Sequence, residues 1–530
     1  MSGRPDFLIV GGGTAGCVLA DRLSADGRHH VTLLEWGGQD RNPWIHIPIG
    51  YGKLASHPRL STRFVSEPER GLHERRITIP RGRVLGGCSS TNGLLYVRGQ
   101  PEDYDGWAAA GNAGWSYADV LPYFRRAEDY HGGADDVHGA GGPIAVSPPA
   151  APHALAEAFI AAGEAQGLPR RADFNGAEQE GIGYYDMTTR RVRRSSTATG
   201  YLRRARKRAN LQVVTGAQVL RVLFEGTRAI GVEYRRDGAV HRLETAREVI
   251  LAAGAIASPH LLLRSGVGAG AALRDLGIAV VHDLPSVGAN LTDHANVRMN
   301  YRARQPITIN DRLGSMFGQA VAGLEYLLRG TGPLTVSAGF GAAFYRTRPE
   351  LDRPDFQGYL LLFRSDASGT RLEPFSGFMT SGYQMRPESR GSVSLVSPDP
   401  AVPPHIRLNL LDTEVDQRVT LAGVKRLRTI LRAPEMAELV GESEPGDEAS
   451  DAELLDYIRA NASTGHHVVG SCRMGTGTDA VVDPRLAVHG IAGLRVVDAS
   501  IMPAITSGNT CAPVVMIAEK AADMILEDNR

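Results

Sequence analysis

Cysteine is scarce in this sequence: four in 530 residues, at Cys17, Cys88, Cys472 and Cys511, with no C-x-x-C pair. That excludes a disulfide-stapled scaffold, and the four read as reduced thiols of a cytoplasmic protein, with no metal site expected. An excess of either charge is missing too, since Lys plus Arg and Asp plus Glu number 58 each. A chain so balanced has no overall pull toward nucleic acid or an acidic surface. Its one basic run, Arg203-Arg204-Ala205-Arg206-Lys207-Arg208, reads as a solvated helix face. No stretch approaches the roughly 18–20 apolar residues of a membrane span. A transmembrane segment is therefore not expected, while peripheral membrane association and homo-oligomerisation stay open. The first six residues lead into an apolar strand pattern without the apolar segment and cleavage site of a secretory signal. Internal repeats, low-complexity tracts and the G-x-S-x-G elbow of many hydrolases are absent as well.

What is present is enough chain for more than one core. A length of 530 residues exceeds the roughly 250–300 at which a single core stops growing. Two domains, or a body with an inserted lobe, follow. Apolar residues at 42% and charged residues at 22% fit an ordinary globular protein.

The clearest unit is the first. Residues 7–10 (Phe-Leu-Ile-Val) form a buried-strand pattern, residues 15–23 a helix, and residues 31–34 a second strand ending at Glu35. Between strand and helix lies Gly11-Gly12-Gly13-Thr14-Ala15-Gly16, a G-x-G-x-x-G turn. Gly11 permits the tight turn, Gly13 lets the backbone approach a pyrophosphate, and Gly16 lets the helix pack on the strand. The phosphates sit at the positive helix end. Glu35 can accept from both ribose hydroxyls and disfavours a 2′-phosphate. This βαβ unit binds a dinucleotide; it does not by itself separate FAD from NAD.

Further on, Arg83-Val84-Leu85-Gly86-Gly87-Cys88-Ser89-Ser90-Thr91-Asn92 has the glycines and small hydroxyls of a ligand-embracing loop, or of a plain turn. Strand-like patches over residues 211–225 and 232–251 predict antiparallel structure. From about 305 to 465, strand pieces (358–363, 393–396, 406–410) alternate with helices (413–432, 449–460), and this is the expected second lobe. A helix over 512–526 closes the chain. The pair His466-His467 precedes a glycine turn. On an extended backbone the two point to opposite sides, which makes them poor joint metal ligands and leaves one free to face a cleft.

These stretches together resemble the glucose–methanol–choline (GMC) oxidoreductase family. The segment 82–92 is similar to its first signature and residues 254–268 to its second. Pro285-Ser286-Val287-Gly288-Ala289-Asn290-Leu291-Thr292-Asp293-His294, the block 467–475, and Asp498-Ala499-Ser500 through Gly508-Asn509 resemble further family stretches, in the expected order over nearly the whole chain. The likeness is nearest to the choline or alcohol dehydrogenase-like branch. It implies an α/β fold: a Rossmann-like FAD-binding domain (1–155, 195–305, 466–530) with an inserted substrate-binding domain (156–194, 306–465) built on an antiparallel sheet with helices.

The resemblance also implies roles. FAD would be held by Gly11, Gly13, Thr14, Ala15 and Gly16, by Glu35, by Arg83, Gly86, Gly87, Ser90, Thr91, Asn92 and Gly93, by the Val219 backbone, and by Ala253, Asp498, Ala499 and Asn509. His467 matches the catalytic histidine and Asn509 its partner. Relatives with covalent flavin carry histidine where this chain has Thr91, so noncovalent FAD is expected. Val468 stands where proline is usual, and Trp36 replaces a small residue. For the substrate pocket His466, Tyr345 and Phe363 are candidates, and no aromatic cage with a carboxylate is evident. The reaction implied is oxidation of an alcohol, with hydride passing to flavin N5, His467 as base, and O2 or a quinone or dye as acceptor. Rival readings are an NAD-dependent dehydrogenase, a hydroxynitrile lyase-like flavoprotein and a non-catalytic flavin binder.

Overall fold

The structure is a computed structural model that describes residues 4–366, 369 and 371–530. Two sheets organise it. The first is parallel and five-stranded, in the order Leu211–Thr215, Val31–Glu35, Phe7–Val10, Glu248–Leu251, Leu494–Val496. Phe7–Val10, Val31–Glu35 and Glu248–Leu251 are buried at every position. This is why they read as continuous apolar runs: a parallel sheet is covered on both faces. The helix Thr14–Leu23 and the closing helix Cys511–Asp528 pack against each other over this sheet. Arg22 seals their contact through Glu519, at 2.8 and 2.7 Å.

The basic run at 203–208 divides. Arg203, Arg206 and Lys207 are exposed as expected. Arg204, exposed as well, and half-buried Arg208 also grip Asp21, which is buried in the first helix, at 2.5 and 2.9 Å. A carboxylate taken out of water needs such partners.

The second sheet runs Val440–Glu444, Ala295–Ala303, Gly377–Gln384, Phe356–Leu361, Gly341–Tyr345, Gly181–Tyr184, Arg170–Arg171, with Ser463–Thr464 paired alongside Ala295–Ala303. It is antiparallel except at Arg170–Arg171. The expected lobe boundary at 305 falls too late, because Ala295–Ala303 is an inner strand of this sheet. A separate three-stranded antiparallel meander, Gln218–Glu225, Arg228–Arg236 and Ala239–Glu244, matches the inner parts of the alternating patches. Their outer parts, Leu211–Thr215 and Glu248–Leu251, are parallel strands of the first sheet, not the antiparallel structure expected.

Pleat parity divides the second sheet's faces. Val297, Met299, Tyr301, Tyr345, Phe356 and Leu360 point into a core shared with the helices Ala154–Ala165 and Glu414–Leu431. On the opposite face lie Asn296, Arg298, Gln357, Tyr359, Ser381 and Tyr383, toward the first domain. Ala499 packs against the cores of both sheets and marks the seam.

Candidate active site

The glycine turn and the second glycine loop close on each other. Gly11 has φ +105°, and a Cβ there would stand 2.5 Å from Ala252 O. A Cβ on Gly16 would stand 1.9 Å from Gly11 O, and one on Gly87 2.7 Å from Gly13 Cα. Gly86 N donates to Gly12 O at 2.8 Å, and Ser89 N to Thr14 Oγ1 at 3.3 Å. The helix opening at Thr14 has no side-chain cap and no acid in its first turn. Its free N–H groups therefore favour an anion. Ala15 and Gly16 are buried in that first turn.

Glu35 accepts from Gly12 N at 2.7 Å and Gly37 N at 2.6 Å, which leaves lone pairs for a ribose. Burial pushes its pKa up to about 7 against those bonds. Arg83 lies over the Trp36 ring at 4.8 Å and donates to Pro58 O. Val219 O accepts from Arg264. The Ser90 hydroxyl is spent on Leu85 O, and Asp498 on Gly254 N, Ser258 Oγ and Ser500 N. Ser90 and Asp498 thus shape the loops with their side chains. Asn92 is clamped by Arg194, at 2.6 Å to Oδ1 and 2.7 Å to the carbonyl.

Amid buried neighbours, Gly11, Gly13, Thr14, Thr91, Asn92, Gly93, Ala253, Ala499, His467 and Asn509 keep partial exposure. They trace one slot from the glycine turn to the histidine. A cradle that a Cβ would fill, an uncapped helix end and a ribose-ready carboxylate fit an FAD molecule.

At the slot's far end the segment from Thr464 to Val469 runs antiparallel to Thr292–His294. Gly465 N donates to His294 O at 2.7 Å, and Val469 and Thr292 exchange bonds of 2.9 and 3.0 Å. The Asp293 carboxylate accepts from His467 N (2.8 Å), His294 N (2.9 Å) and the Thr464 hydroxyl. Burial raises its pKa to about 6. His466 has φ +66°, not the extended backbone expected. It faces a recess, where desolvation, reinforced by Arg81 and Arg298, lowers its pKa to about 3.

The bonds of His467 form a chain whose direction is fixed at one end. His294 Nε2 lies 2.9 Å from Met385 O, and a carbonyl only accepts, so Nε2 carries the proton. Desolvation lowers the His294 pKa to about 4, so the ring is neutral and its Nδ1 is an acceptor. His467 Nδ1, 3.0 Å away, must then be the donor. This leaves His467 Nε2 as a bare lone pair, facing Asn509 Nδ2 at 3.0 Å. Asn509 Oδ1 accepts from Gln357 Nε2 at 3.1 Å, and Gln357 Oε1 from Tyr383 OH at 2.6 Å. The second Gln357 N–H goes to Tyr185 OH at 2.7 Å. Tyr383 stacks on His294 with centroids 4.4 Å apart. Burial, with repulsion from Arg81, holds His467 well below the usual histidine pKa.

Profiles of GMC oxidoreductase match residues 5–296 and 387–518. The chain belongs to the GMC oxidoreductase family. It is 41% identical over 527 residues, 98% of this chain and 93% of the relative, to a protein named oxygen-dependent choline dehydrogenase from Photobacterium profundum. A protein of the same name from Paraburkholderia xenovorans is 43% identical over 528 residues, 98% of this chain and 94% of the relative. Among solved structures, pyridoxine 4-oxidase from Mesorbium loti superimposes with TM-score 0.89 at 32% identity, covering 98% of this chain and 99% of that one. A fungal aryl-alcohol oxidase does so with TM-score 0.86 at 26% identity, over 100% of both chains. This GMC oxidoreductase is an FAD-dependent enzyme acting on CH–OH donors. That sets aside the NAD-dependent and non-catalytic readings.

Within this GMC oxidoreductase the predicted pair His467 and Asn509 meets, and His466 faces the same recess. Tyr345 does not. It lies on the helix-facing side of its strand, with its hydroxyl on Gly423 O at 2.8 Å, and is fully buried. Phe363, beyond its strand's end, packs against that same core. Residues absent from the sequence-derived site are His294, Gln357, Tyr185 and Tyr383. Only His294 had a sequence signal, in the stretch 285–294. All four cysteines are free thiols. Among the described residues no group of three or more His, Cys, Asp or Glu is placed to hold a metal, and no helix is long and apolar enough to cross a membrane.

Proposed function

We propose that this enzyme oxidises an alcohol with His467 Nε2 as the base and Asn509 Nδ2 as the group that holds the hydroxyl. The bare lone pair on Nε2, forced by the bond chain from Met385 O, carries this reading. An alcohol hydroxyl that replaces the bond between His467 and Asn509 donates to the one and accepts from the other. Bound FAD supplies the hydride acceptor, flavin N5. An alcohol proton is too weakly acidic to leave unaided, so a neutral base in contact with it is needed. The surroundings of His467 oppose a resting imidazolium, so the proton is taken only as negative charge develops beside it.

The diphosphate of FAD would lie on Gly11–Gly16 and its ribose on Glu35. Gly86, Gly87, Ser90 and the residues 91–93 form the wall of the slot in this reading, with Val219, Ala253, Asp498 and Ala499 closing its ends. The names of the relatives speak for O2 as electron acceptor.

For the substrate, the charges coupled to the recess are cationic. Arg81 has buried Nε and Nη2 atoms without a partner among the described residues, and Arg298 acts on Tyr51, Tyr359 and His466. Asp293, the carboxylate beside the two histidines, is engaged by three donors. Among the described residues the charges that act on His466 and His467 include no carboxylate to face a quaternary ammonium, so a neutral or anionic alcohol fits better than choline.

Anaerobic flavin reduction across alcohols, with choline included, tests both statements, and reoxidation by air tests the acceptor. His467→Ala keeps its flavin and loses about 10²–10⁴-fold in reduction rate. Reduction at wild-type speed would remove His467 as base, and fast reduction by choline would overturn the substrate reading.

A further inference from the structure

The helix Met316–Arg329 is built inside out. Six large apolar residues lie on it in the open: Met316 (88% exposed), Phe317 (80%), Val321 (41%), Leu324 (58%), Leu327 (78%) and Leu328 (74%). At about 100° per residue they fall within an arc of about 140°. The only buried member is Ala322. Small residues and Tyr326 therefore face the protein, while the anchoring side chains face out. A contiguous apolar face of this kind marks an interaction surface.

The helix is not loosely held. Ser315 caps it by accepting from Gly318 N at 3.0 Å, Gly330 ends it in the left-handed region, and Tyr326 OH donates to Val192 O at 3.1 Å. The last bond ties it to the hairpin of Thr189–Arg190 and Arg193–Arg194.

That hairpin decides the partner. Arg191, Arg193 and Arg329 are exposed and have no ion pair among the described residues, and Arg193 acts electrostatically on Tyr326. The nearby acids are engaged: Glu325 by Arg312 at 2.7 Å, Asp311 by Thr308 and Ser376, Asp129 by Arg190. An exposed apolar helix face, with unpaired arginines at the helix end and on the hairpin behind it, is complementary to the headgroup–acyl boundary of an anionic bilayer. A second copy fits worse, since a twofold contact sets each apolar patch against itself and offers these arginines no acidic partner. Fourteen residues span about 21 Å, so the helix lies along the interface and does not cross it.

We infer that this face seats the enzyme on an anionic lipid surface. The chain leaving the helix reaches the recess within ten residues. Ala338 N donates to Gly93 O at 3.1 Å, and Gly339 packs beside Tyr359 and Tyr185. Seating the helix therefore brings lipid close to the wall of the active site.

Vesicle sedimentation of the flavin-loaded enzyme tests this, with phosphatidylglycerol–phosphatidylcholine mixtures against phosphatidylcholine alone. The anionic vesicles bind more tightly by on the order of 100-fold, from three arginines near the surface. Phe317→Ser/Leu324→Ser/Leu327→Ser abolishes binding. Arg191→Gln/Arg193→Gln/Arg329→Gln removes the preference for anionic lipid. Both keep the flavin spectrum and the turnover with a soluble acceptor. The inference fails if wild type does not sediment with anionic vesicles, or if the serine variant still does. It also fails if sedimentation velocity shows a dimer that the serine substitutions dissolve without any vesicle binding, which would assign the face to a second copy.

Discussion

Replacing His294 by leucine tests the bond chain at its most informative point. The imidazole provides what a hydrocarbon cannot, an acceptor for the His467 Nδ1 proton at 3.0 Å. Leucine leaves that donor buried and unpaired, at a cost of about 1–3 kcal/mol. The tautomer with a bare Nε2 loses population by the same free energy. At about 1.4 kcal/mol per tenfold, flavin reduction slows by about 5- to 150-fold. Stopped-flow absorbance of the flavin, mixed anaerobically with a reducing alcohol, reads this directly, and flavin content stays at the wild-type level. His294→Asn puts an amide oxygen near the lost Nδ1 and recovers most of the rate. Because His467 is held well below the usual histidine value, wild-type reduction is flat with pH from neutrality upward. Wild-type speed in the leucine variant would refute the argument. So would equal slowing by asparagine and leucine, which would leave only packing against Tyr383 as the role of His294.

Two further outcomes are expected. With Thr91 where a linking histidine would stand, acid precipitation releases the flavin into the supernatant, and colour retained in the pellet contradicts this. Stability falls on the alkaline side. Burial alone would lower the His138 pKa, but Asp173 at 3.2 Å and Glu128 at 3.0 Å reverse this and push it up to about 9. A folded value above the unfolded 6.5 contributes stability that is complete below about pH 6.5 and lost as pH rises through 9. The melting temperature should therefore drop between pH 7 and pH 10, and His138→Gln should flatten that decline.

Local patterns made the first sheet legible. Phe7–Val10 and Val31–Glu35 are buried on both faces, so they read as apolar runs, and the glycine turn between them has steric demands visible in the letters alone. The pair His467 and Asn509 became visible through the family likeness, and the structure brings the two within 3.0 Å. What stayed hidden depends on the pleat of the second sheet. Tyr345 and Tyr383 look alike in sequence, yet strand parity sends Tyr345 toward Gly423 and Tyr383 toward His294. Gln357 is a single polar residue in an apolar strand, and only cross-strand register brings it to Asn509. The boundary at 305 erred for a related reason, since Ala295–Ala303 follows the family stretch directly and carries no break in composition. The helix Met316–Arg329 escaped notice because an amphipathic pattern gives a face and not its direction.

The strand Leu494–Val496 completes a sheet whose central strand is Phe7–Val10, and Asn509 follows it. On a ribosome these pieces emerge far apart in synthesis. The hollow between them has no far wall until Leu494–Val496 has been made. A product terminated before that strand therefore lacks both this wall and Asn509, however much of the glycine turn it has folded.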